Sequence, residues 1–460
     1  MIKESPLAPA NLGEENGVRS APLTPTMEGV AKSNQADTGN YFQAPIGTHD
    51  VLPPQSQIWA RVVSVFAERA NRFNYGLAIT PIFEHAEVFE RIGDASDVVR
   101  KEMYEFRDRG DRRLALRPEG TAPVVRAFVQ HHPTPPWKVW YVAPNFRYER
   151  PQKGRYRQHW QIGAEALGVS DPDLDVEVVS LAAGFFLALG LGKTRLLINS
   201  MGEPDDRIKY TEDLRKYFLS SGANLGEEFL TRVKENPLRI LDAKKSEWQT
   251  MIEGAPQLSD YLGDSAKEYF SKVQSGLKAL DIAFTVDPRL VRGFDYYTAT
   301  TFEFVSDDLD AAQNALGGGG RYDNLAQEMG GDPAPGIGFG IGMERVVLAL
   351  EAQGLAEKII KDSASLDVFV VDGTDDEVAA LVVNDLREAG ISVDRSYGGR
   401  SVKAQWKLAD RSGATYGVMT GESENKNNSV AVKNLKTGEQ VEVRREHLVS
   451  QIQNSKETKR

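Results

Sequence analysis

The stretch Phe146 to Gln158, FRYERPQKGRYRQ, sets Arg147, Arg150, Lys153, Arg155 and Arg157 against one carboxylate, Glu149. The whole chain carries a formal net charge of -11, so this is a local reversal of sign. Cations at that density, interleaved with Tyr148 and Tyr156 and broken by Pro151 and Gly154, suit two strands joined by a mobile loop. Such a loop grips phosphates or a nucleic-acid backbone. A solvated charged hairpin is the alternative for the cluster taken alone.

Further segments carry chemistry-bearing residues in a fixed order. They are LRPEGTAPVVRA from Leu116 to Ala127, LVRGFDYYT from Leu290 to Thr298, GGGGRYD from Gly317 to Asp323, and GFGIGMER from Gly338 to Arg345. Arginines with planar forks suit phosphate and carboxylate recognition. Glycine runs let a backbone approach a ligand closely. Leu189 to Thr194, LGLGKT, has the look of a phosphate-binding P-loop, but position 187 is Leu where that motif needs Gly. It also follows a helix and precedes a strand, the reverse of the required order, so it reads as a helix-terminating turn.

Composition narrows the classes. At 460 residues the chain has room for roughly three domains. It contains no cysteine, which removes disulfides, thiolate zinc sites, iron–sulfur clusters and a cysteine nucleophile together. The six histidines form no H-E-x-x-H pair, so a soft-metal enzyme is disfavoured, while magnesium carried in with a nucleotide stays open. No apolar stretch approaches the roughly twenty residues of a membrane span, and the first residues lack the apolar core of a signal peptide. A cytoplasmic protein with no membrane partner is the expectation.

Elements must position these residues. Residues 1–40 are rich in Pro, Ser, Asn and Gly without apolar periodicity and carry Glu4, Glu14, Glu15 and Glu28, so they read as a disordered extension. From 41 to 350 the pattern is α+β: a helix over Gln57 to Phe73 and a strand at Leu77 to Ile79 before Pro81. Strands follow at Leu114 to Leu116 and Val139 to Val142 on either side of the helix Thr121 to Gln130. Gln161 to Gly168 is a strand, Val176 to Leu189 an apolar helix, and Arg195 to Asn199 a strand. About residues 203–283 the chain turns polar with leucines and tyrosines at helical spacing, as a helical insertion would. Strand-like sequence resumes at Leu290, Val346 to Leu350 closes the region as a helix, and residues 351–365 read as a linker. From 366 to 460 strands alternate with helices, the signature of a compact α/β domain.

Taken in order, these segments resemble the class II aminoacyl-tRNA synthetases. The helix, strand and Pro81 look like motif 1, Phe146 to Glu149 like motif 2, and the Gly-rich stretch ending at Arg345 like motif 3. LVRGFDYYT and GGGGRYD are similar to the two signature blocks of the histidyl-tRNA synthetase family. The resemblance runs from about Phe42 to the C-terminus. It implies an antiparallel-sheet catalytic domain with a helical insertion, followed by a C-terminal α/β anticodon-binding domain. It also implies a homodimer that activates L-histidine with ATP and Mg2+ to histidyl-adenylate and passes the histidyl group to tRNA(His).

The resemblance carries roles to particular residues. Arg147 is similar to the family residue on the α-phosphate, Arg345 to that on the terminal phosphate, and Arg292 to the arginine that serves the reacting α-phosphate and carboxylate. These are the implied catalytic residues. Arg147, Glu149, Arg155 and Arg345 would bind ATP. Glu119, Gly120 and Thr121 with Gln161 would hold the α-amino group of histidine, and Glu165, Tyr296 and Tyr297 the imidazole, with Arg147 and Arg292 on the same substrate. A polar ligand of that kind needs an anionic or hydrogen-bonding floor. Arg150, Gln152 and Lys153 would meet the tRNA acceptor end, and Arg395, Arg400, Lys403 and Lys407 the anticodon region. His49 and the pair His159-Trp160 depart from the family's usual residues, the latter touching packing more than chemistry. The alternative is a non-catalytic relative, the histidine-sensing regulatory subunit of ATP phosphoribosyltransferase, which would lack the Arg292 block and the anticodon-binding domain.

Overall fold

Apolar residues Ile58, Val62, Val65, Phe66 and Ala70 fall on one stripe and are buried along helix α1, Ser56–Arg72. A computed structural model of the chain describes residues 42–91, 101–222, 224–241, 243, 245–291, 296–310, 314–363, 366–374 and 377–457. The extension 1–40 lies outside the described residues, and so do Arg292 and Asp295.

After α1 come β1 (Gly76–Leu77), β2 (Phe83–His85), α2 (Ala86–Glu90), β3 (Tyr104–Arg107), β4 (Arg113–Leu116), α3 (Thr121–His131), β5 (Trp137–Phe146), β6 (Gln158–Leu167), α4 (Pro172–Ala188) and β7 (Thr194–Ser200). The helices α5 (Pro204–Ser221), α6 (Glu227–Glu235), α7 (Ser246–Glu253) and α8 (Asp264–Ala279) precede β8 (Thr285–Val286), β9 (Thr298–Ser306), β10 (Ala315–Arg321), α9 (Leu325–Glu328) and β11 (Gly336–Gly342). An eight-stranded sheet runs in the order β1-β5-β6-β11-β10-β9-β7-β8. Its end pairs β1/β5 and β7/β8 are parallel and the pairs between them antiparallel.

The two faces of this sheet differ because its central strands alternate in side-chain size. In β11, GIGFGIG, Ile337, Phe339 and Ile341 point into a core shared with α1, α4 and α10 (Met343–Ala352), while the glycines occupy the opposite face. β6 follows the same rule: Ile162, Ala164 and Ala166 enter that core. Gln161, Gly163 and Glu165 must then face the other way. One face is therefore sealed by helices and the other is left shallow enough to receive a ligand.

Helices α5 to α7 gather round Tyr210, Phe218, Phe229 and Trp248 as a separate core, and α8 returns to pack Phe270, Val273 and Leu277 on the main one. The stretch read as a linker holds helix α11, Ala356–Ser363, whose Ile359 and Ile360 pack on the main core beside α1. The last unit comprises β12 (Val368–Asp372), α12 (Glu377–Glu388), β13 (Val393–Arg395), α13 (Val402–Arg411), β14 (Tyr416–Thr420), α14 (Glu422–Lys426), β15 (Ser429–Asn434), β16 (Gln440–Arg444) and α15 (Leu448–Glu457). Its five strands run β13-β12-β14-β15-β16, parallel about β12 and antiparallel beyond β14, with apolar clusters on both faces.

Several local expectations shift. The strand after α1 covers only Gly76–Leu77, because Ile79 is exposed before Pro81. The strands flanking α3 belong to different sheets, β4 to a three-stranded sheet β2-β4-β3 and β5 to the large one. Strand structure after the insertion is taken up by β8 and then by β9 from Thr298 rather than at Leu290. Gly190, with φ of 84°, ends α4 in the turn expected of LGLGKT.

Candidate active site

Strands β5 and β6 stop where the basic run begins, so every cation from Arg147 to Arg157 lies in the connecting loop rather than on the strands. The base of this loop is held: Arg147 N donates to Arg157 O at 2.8 Å and Arg157 N to Gly47 O at 2.8 Å. Only its tip, turned by a bridge between Gln152 and Arg155, stands away. Arg150, Gln152 and Lys153 are exposed there, outside the cleft.

Above the glycine face of the sheet lies a cleft of about 260 Å³. It is lined by Glu119 and Thr121 from the start of α3, Arg147, Glu149 and Arg155 from the loop, Gln161 of β6, Tyr296 and Tyr297, and Arg345 of α10. Segments far apart in sequence thus meet in one cavity. Gly120 is buried between Glu119 and Thr121, where a Cβ would fall 2.4 Å from the Tyr141 ring.

One end of the cleft is acidic and hydroxyl-rich. Glu119 is a helix-entry carboxylate: its oxygens accept from Thr121 N at 2.8 Å and Ala122 N at 2.6 Å, two donors that α3 cannot satisfy internally. Glu165 sits a layer deeper and is fully buried, accepting from Thr121 Oγ1 at 2.7 Å, Tyr322 Oη at 2.5 Å and, at longer range, Tyr141 Oη at 3.4 Å. It lies across β11 opposite Gly338, where a Cβ would fall 1.6 Å from Glu165 Oε2, so no larger residue fits. Burial pushes Glu165 up to about 8, opposed by hydrogen bonds from Tyr322 and Thr121. Glu119 is also raised by burial, opposed by its backbone donors and by Arg147. The floor expected to be anionic or hydrogen-bonding is thus built of buried carboxyls held by hydrogen bonds, with Glu165 beneath the residues that line the cleft. Asn145 Nδ2 donates to Gln161 Oε1 at 2.6 Å, which leaves the Gln161 amide free to donate.

The other end is cationic. Arg147 Nε donates to Pro118 O at 2.9 Å, Arg345 Nη1 to Ala315 O at 2.6 Å, and Arg155 Nε pairs with Glu149 Oε2 at 2.7 Å. For Arg147 and Arg345 these contacts are to carbonyl oxygens, which orient the guanidinium groups, and Arg147 Nη1 also lies 4.0 Å from Glu149 Oε1. His159 sits among them, and burial with the charges of Arg147, Arg345 and Arg155 lowers its imidazole to about 3. It is neutral and lines the cleft, more than the packing role its sequence position suggested.

Sequence reasoning missed Tyr141, His159 and Glu344, all of which line the cleft. The period-two alternation of β5 and β6 was the available signal, since it places Tyr141, His159, Gln161 and Glu165 on one face. Arg321, grouped with the glycine run as a ligand-approach segment, is instead buried against Asp175 of α4 and Asp323. Its neighbour Tyr322 is what reaches Glu165. Among the described residues no group of three or more His, Cys, Asp or Glu side chains is placed to hold a metal ion.

A mostly antiparallel sheet with a glycine face, an arginine-bearing loop between two central strands and a separate C-terminal α/β unit defines the class II aminoacyl-tRNA synthetase fold. Residues 47–346 match the family model for histidyl-tRNA synthetase, and residues 366–455 that for an anticodon binding domain. The chain belongs to the histidyl-tRNA synthetase family. It is 47% identical over 408 residues to a histidine–tRNA ligase of Geobacillus thermodenitrificans, covering 87% of this chain and 96% of that one. A histidine–tRNA ligase of Rhodococcus erythropolis is 47% identical over 417 residues, covering 89% and 97%. The crystal structure of apo S. aureus histidyl-tRNA synthetase superimposes with a TM-score of 0.75 at 36% identity, over 90% of this chain and 100% of that one.

Proposed function

We propose that the chain activates L-histidine with ATP to histidyl-adenylate and transfers the histidyl group to tRNA(His). The observation that carries this is the single cleft whose acidic, hydroxyl-rich end and cationic end adjoin, in a chain that also bears the family's anticodon binding domain. Histidine lies with its α-amino group at Glu119, Thr121 and Gln161 and its imidazole toward Glu165, Tyr296 and Tyr297. Its carboxylate then faces Arg147 and the triphosphate. Attack on the α-phosphate builds charge on phosphate oxygens, and Arg147, with Arg292 from the signature block, stabilises that charge while Arg345 holds the terminal phosphate. Magnesium would enter with the nucleotide, whose phosphate oxygens would hold it.

Residues 41–350 form the catalytic unit in this reading, 203–283 its insertion and 366–460 the RNA-reading unit, with Arg395, Arg400, Lys403 and Lys407 as its contacts and Arg150, Gln152 and Lys153 at the acceptor end. Two copies pair through the motif 1 region. Leu77, Ile79, Ile82, Phe83 and Phe106 are exposed together around β1 to β3, apolar area of the kind a symmetric interface covers. The enzyme works in the cytoplasm, where its tRNA is. Among the described residues no helix is long and apolar enough to cross a membrane.

ATP–pyrophosphate exchange measured with each standard amino acid tests the reading. Exchange with L-histidine alone is expected. Histidine binding without exchange would favour the regulatory relative. Sedimentation of the active protein as a monomer would remove the dimer.

A further inference from the structure

The wall of the cleft at its cationic end, near Arg155 and Tyr156, is held by a part of the chain far from it in sequence. Residues 45–50 turn tightly, with Thr48 N and Thr48 Oγ1 both donating to Pro45 O at 3.0 and 2.8 Å. This strap lies along the end of the arginine loop. Gly47 O accepts from Arg157 N, and Gly47 adopts φ of 85°, with a Cβ there falling 2.6 Å from Arg157 Cγ. Two residues on, the His49 ring packs on Tyr156 with centroids 4.4 Å apart and planes at 39°.

Tyr156 is itself a cleft residue, adjoining Gly154 and Arg155. The opposite flank of the loop is pinned too: Tyr148 N donates to Glu102 O at 2.6 Å, and the Arg157 guanidinium stacks 4.0 Å from the Tyr148 ring. The strap and the segment beside β3 therefore grip the loop from two sides. His49 Nδ1 is buried without a hydrogen-bond partner among the described residues, while the ring packs on Tyr156. Burial lowers the His49 pKa, opposed by Asp50, and the neutral ring suits a face on tyrosine.

We propose that the strap of residues 45–50 is a positioning element for the phosphate-binding loop, with His49 acting through Tyr156 to hold Arg155 and Arg147 in place for ATP. This rests on the reading of those arginines as nucleotide ligands. His49 does not itself reach the cleft. Its effect falls on the affinity for ATP and on the order of the loop.

The test compares His49→Ala, His49→Phe and Gly47→Ala in the full chain. ATP and histidine KM are read from pyrophosphate exchange, and loop order from the rate of tryptic cleavage between Lys153 and Gly154. Loss of one aromatic contact should raise the ATP KM of His49→Ala by about three- to tenfold, leave the histidine KM unchanged and speed the cleavage. His49→Phe keeps the ring contact and should restore both readouts. Gly47→Ala, which also obstructs Arg157, should exceed His49→Ala in both. An unchanged ATP KM and cleavage rate in His49→Ala would overturn the proposal. So would a uniform loss of both KM values with a lowered melting temperature that His49→Phe fails to repair, since that marks a folding role. A parent protein without histidine-dependent exchange would refute the function instead, and the cleavage rates would still decide whether the strap orders the loop.

Discussion

The two ends of the cleft hold charge by opposite means. At the acidic end, carboxyls are buried under backbone and hydroxyl donors, and burial raises Glu165 to about 8. At the cationic end, Arg147 and Arg345 each donate to a backbone carbonyl, which aims the guanidinium, and Arg147 also lies 4.0 Å from Glu149. The difference follows from the groups themselves: a carboxyl can lose its charge to burial within the physiological pH range, whereas a guanidinium cannot. In the proposed reading, selectivity for a polar amino acid and stabilisation of growing phosphate charge fall in adjoining but separate environments.

The largest effect should come from the permanent charges. Arg147→Ala is expected to slow adenylate formation on the order of a hundred- to a thousandfold in single-turnover kinetics, as removal of one charge-stabilising donor does. Arg147→Lys should fall between, because it restores a point charge without the fork. A parent-like rate in Arg147→Ala would erase the distinction between the two ends.

Next is the buried acid. Glu165→Gln keeps size but loses the ionisable oxygen, and histidine affinity measured by calorimetry should fall about ten- to a hundredfold, the worth of one charged hydrogen bond. ATP affinity should not move. Equal losses for both ligands would mean the ends are not separate.

A smaller effect is the pH dependence of stability. Glu165 rises from 4.5 to about 8 and Glu344 from 4.5 to about 7 on folding, so the folded state retains protons that the unfolded state releases. Their contribution is fully present below about pH 4.5 and is lost as pH rises toward 8. His159, lowered from 6.5 to about 3, has the opposite sign: its contribution is present above pH 6.5 and lost as pH falls toward 3. Melting temperatures of Glu165→Gln should therefore gain on the parent as pH rises from 4.5 to 8, and those of His159→Phe as pH falls below 6.5. Reversed trends would show that the burial of these groups is misassigned.

The smallest effect tests both ends at once. Removing Met1 to Asn40 should leave exchange and melting temperature unchanged, since the segment is rich in Pro, Ser, Asn and Gly and shows no apolar periodicity. A loss confined to ATP affinity would show that the tail assists the strap that follows it.

Much of this arrangement was legible in residue order. The α+β character, the helical insertion and the alternating C-terminal unit follow from apolar periodicity, although the short helix α14 within that unit was not expected. The arginine loop could be recognised but not its tethering. Nothing in FRYERPQKGRYRQ reports that Gly47, a hundred residues earlier, accepts a hydrogen bond from Arg157. The helix within 351–365 was equally hidden, because its few apolar residues make a helix only when a core is there to receive them.

Sequence by itself determined which residue types were available: arginines and acids in family order, glycines every second residue in β11, and no cysteine. Period-two alternation also decides which of them share a face, since neighbouring side chains on a strand must point apart. Only the tertiary structure decided their state. Whether Glu165 carries a charge depends on Thr121 of α3, Tyr141 of β5 and Tyr322 just after β10 closing over it. Whether Arg321 meets ligand or core depends on Asp175 lying opposite in α4. Burial and pairing are properties of groups brought together from distant segments, and a local pattern carries no measure of either.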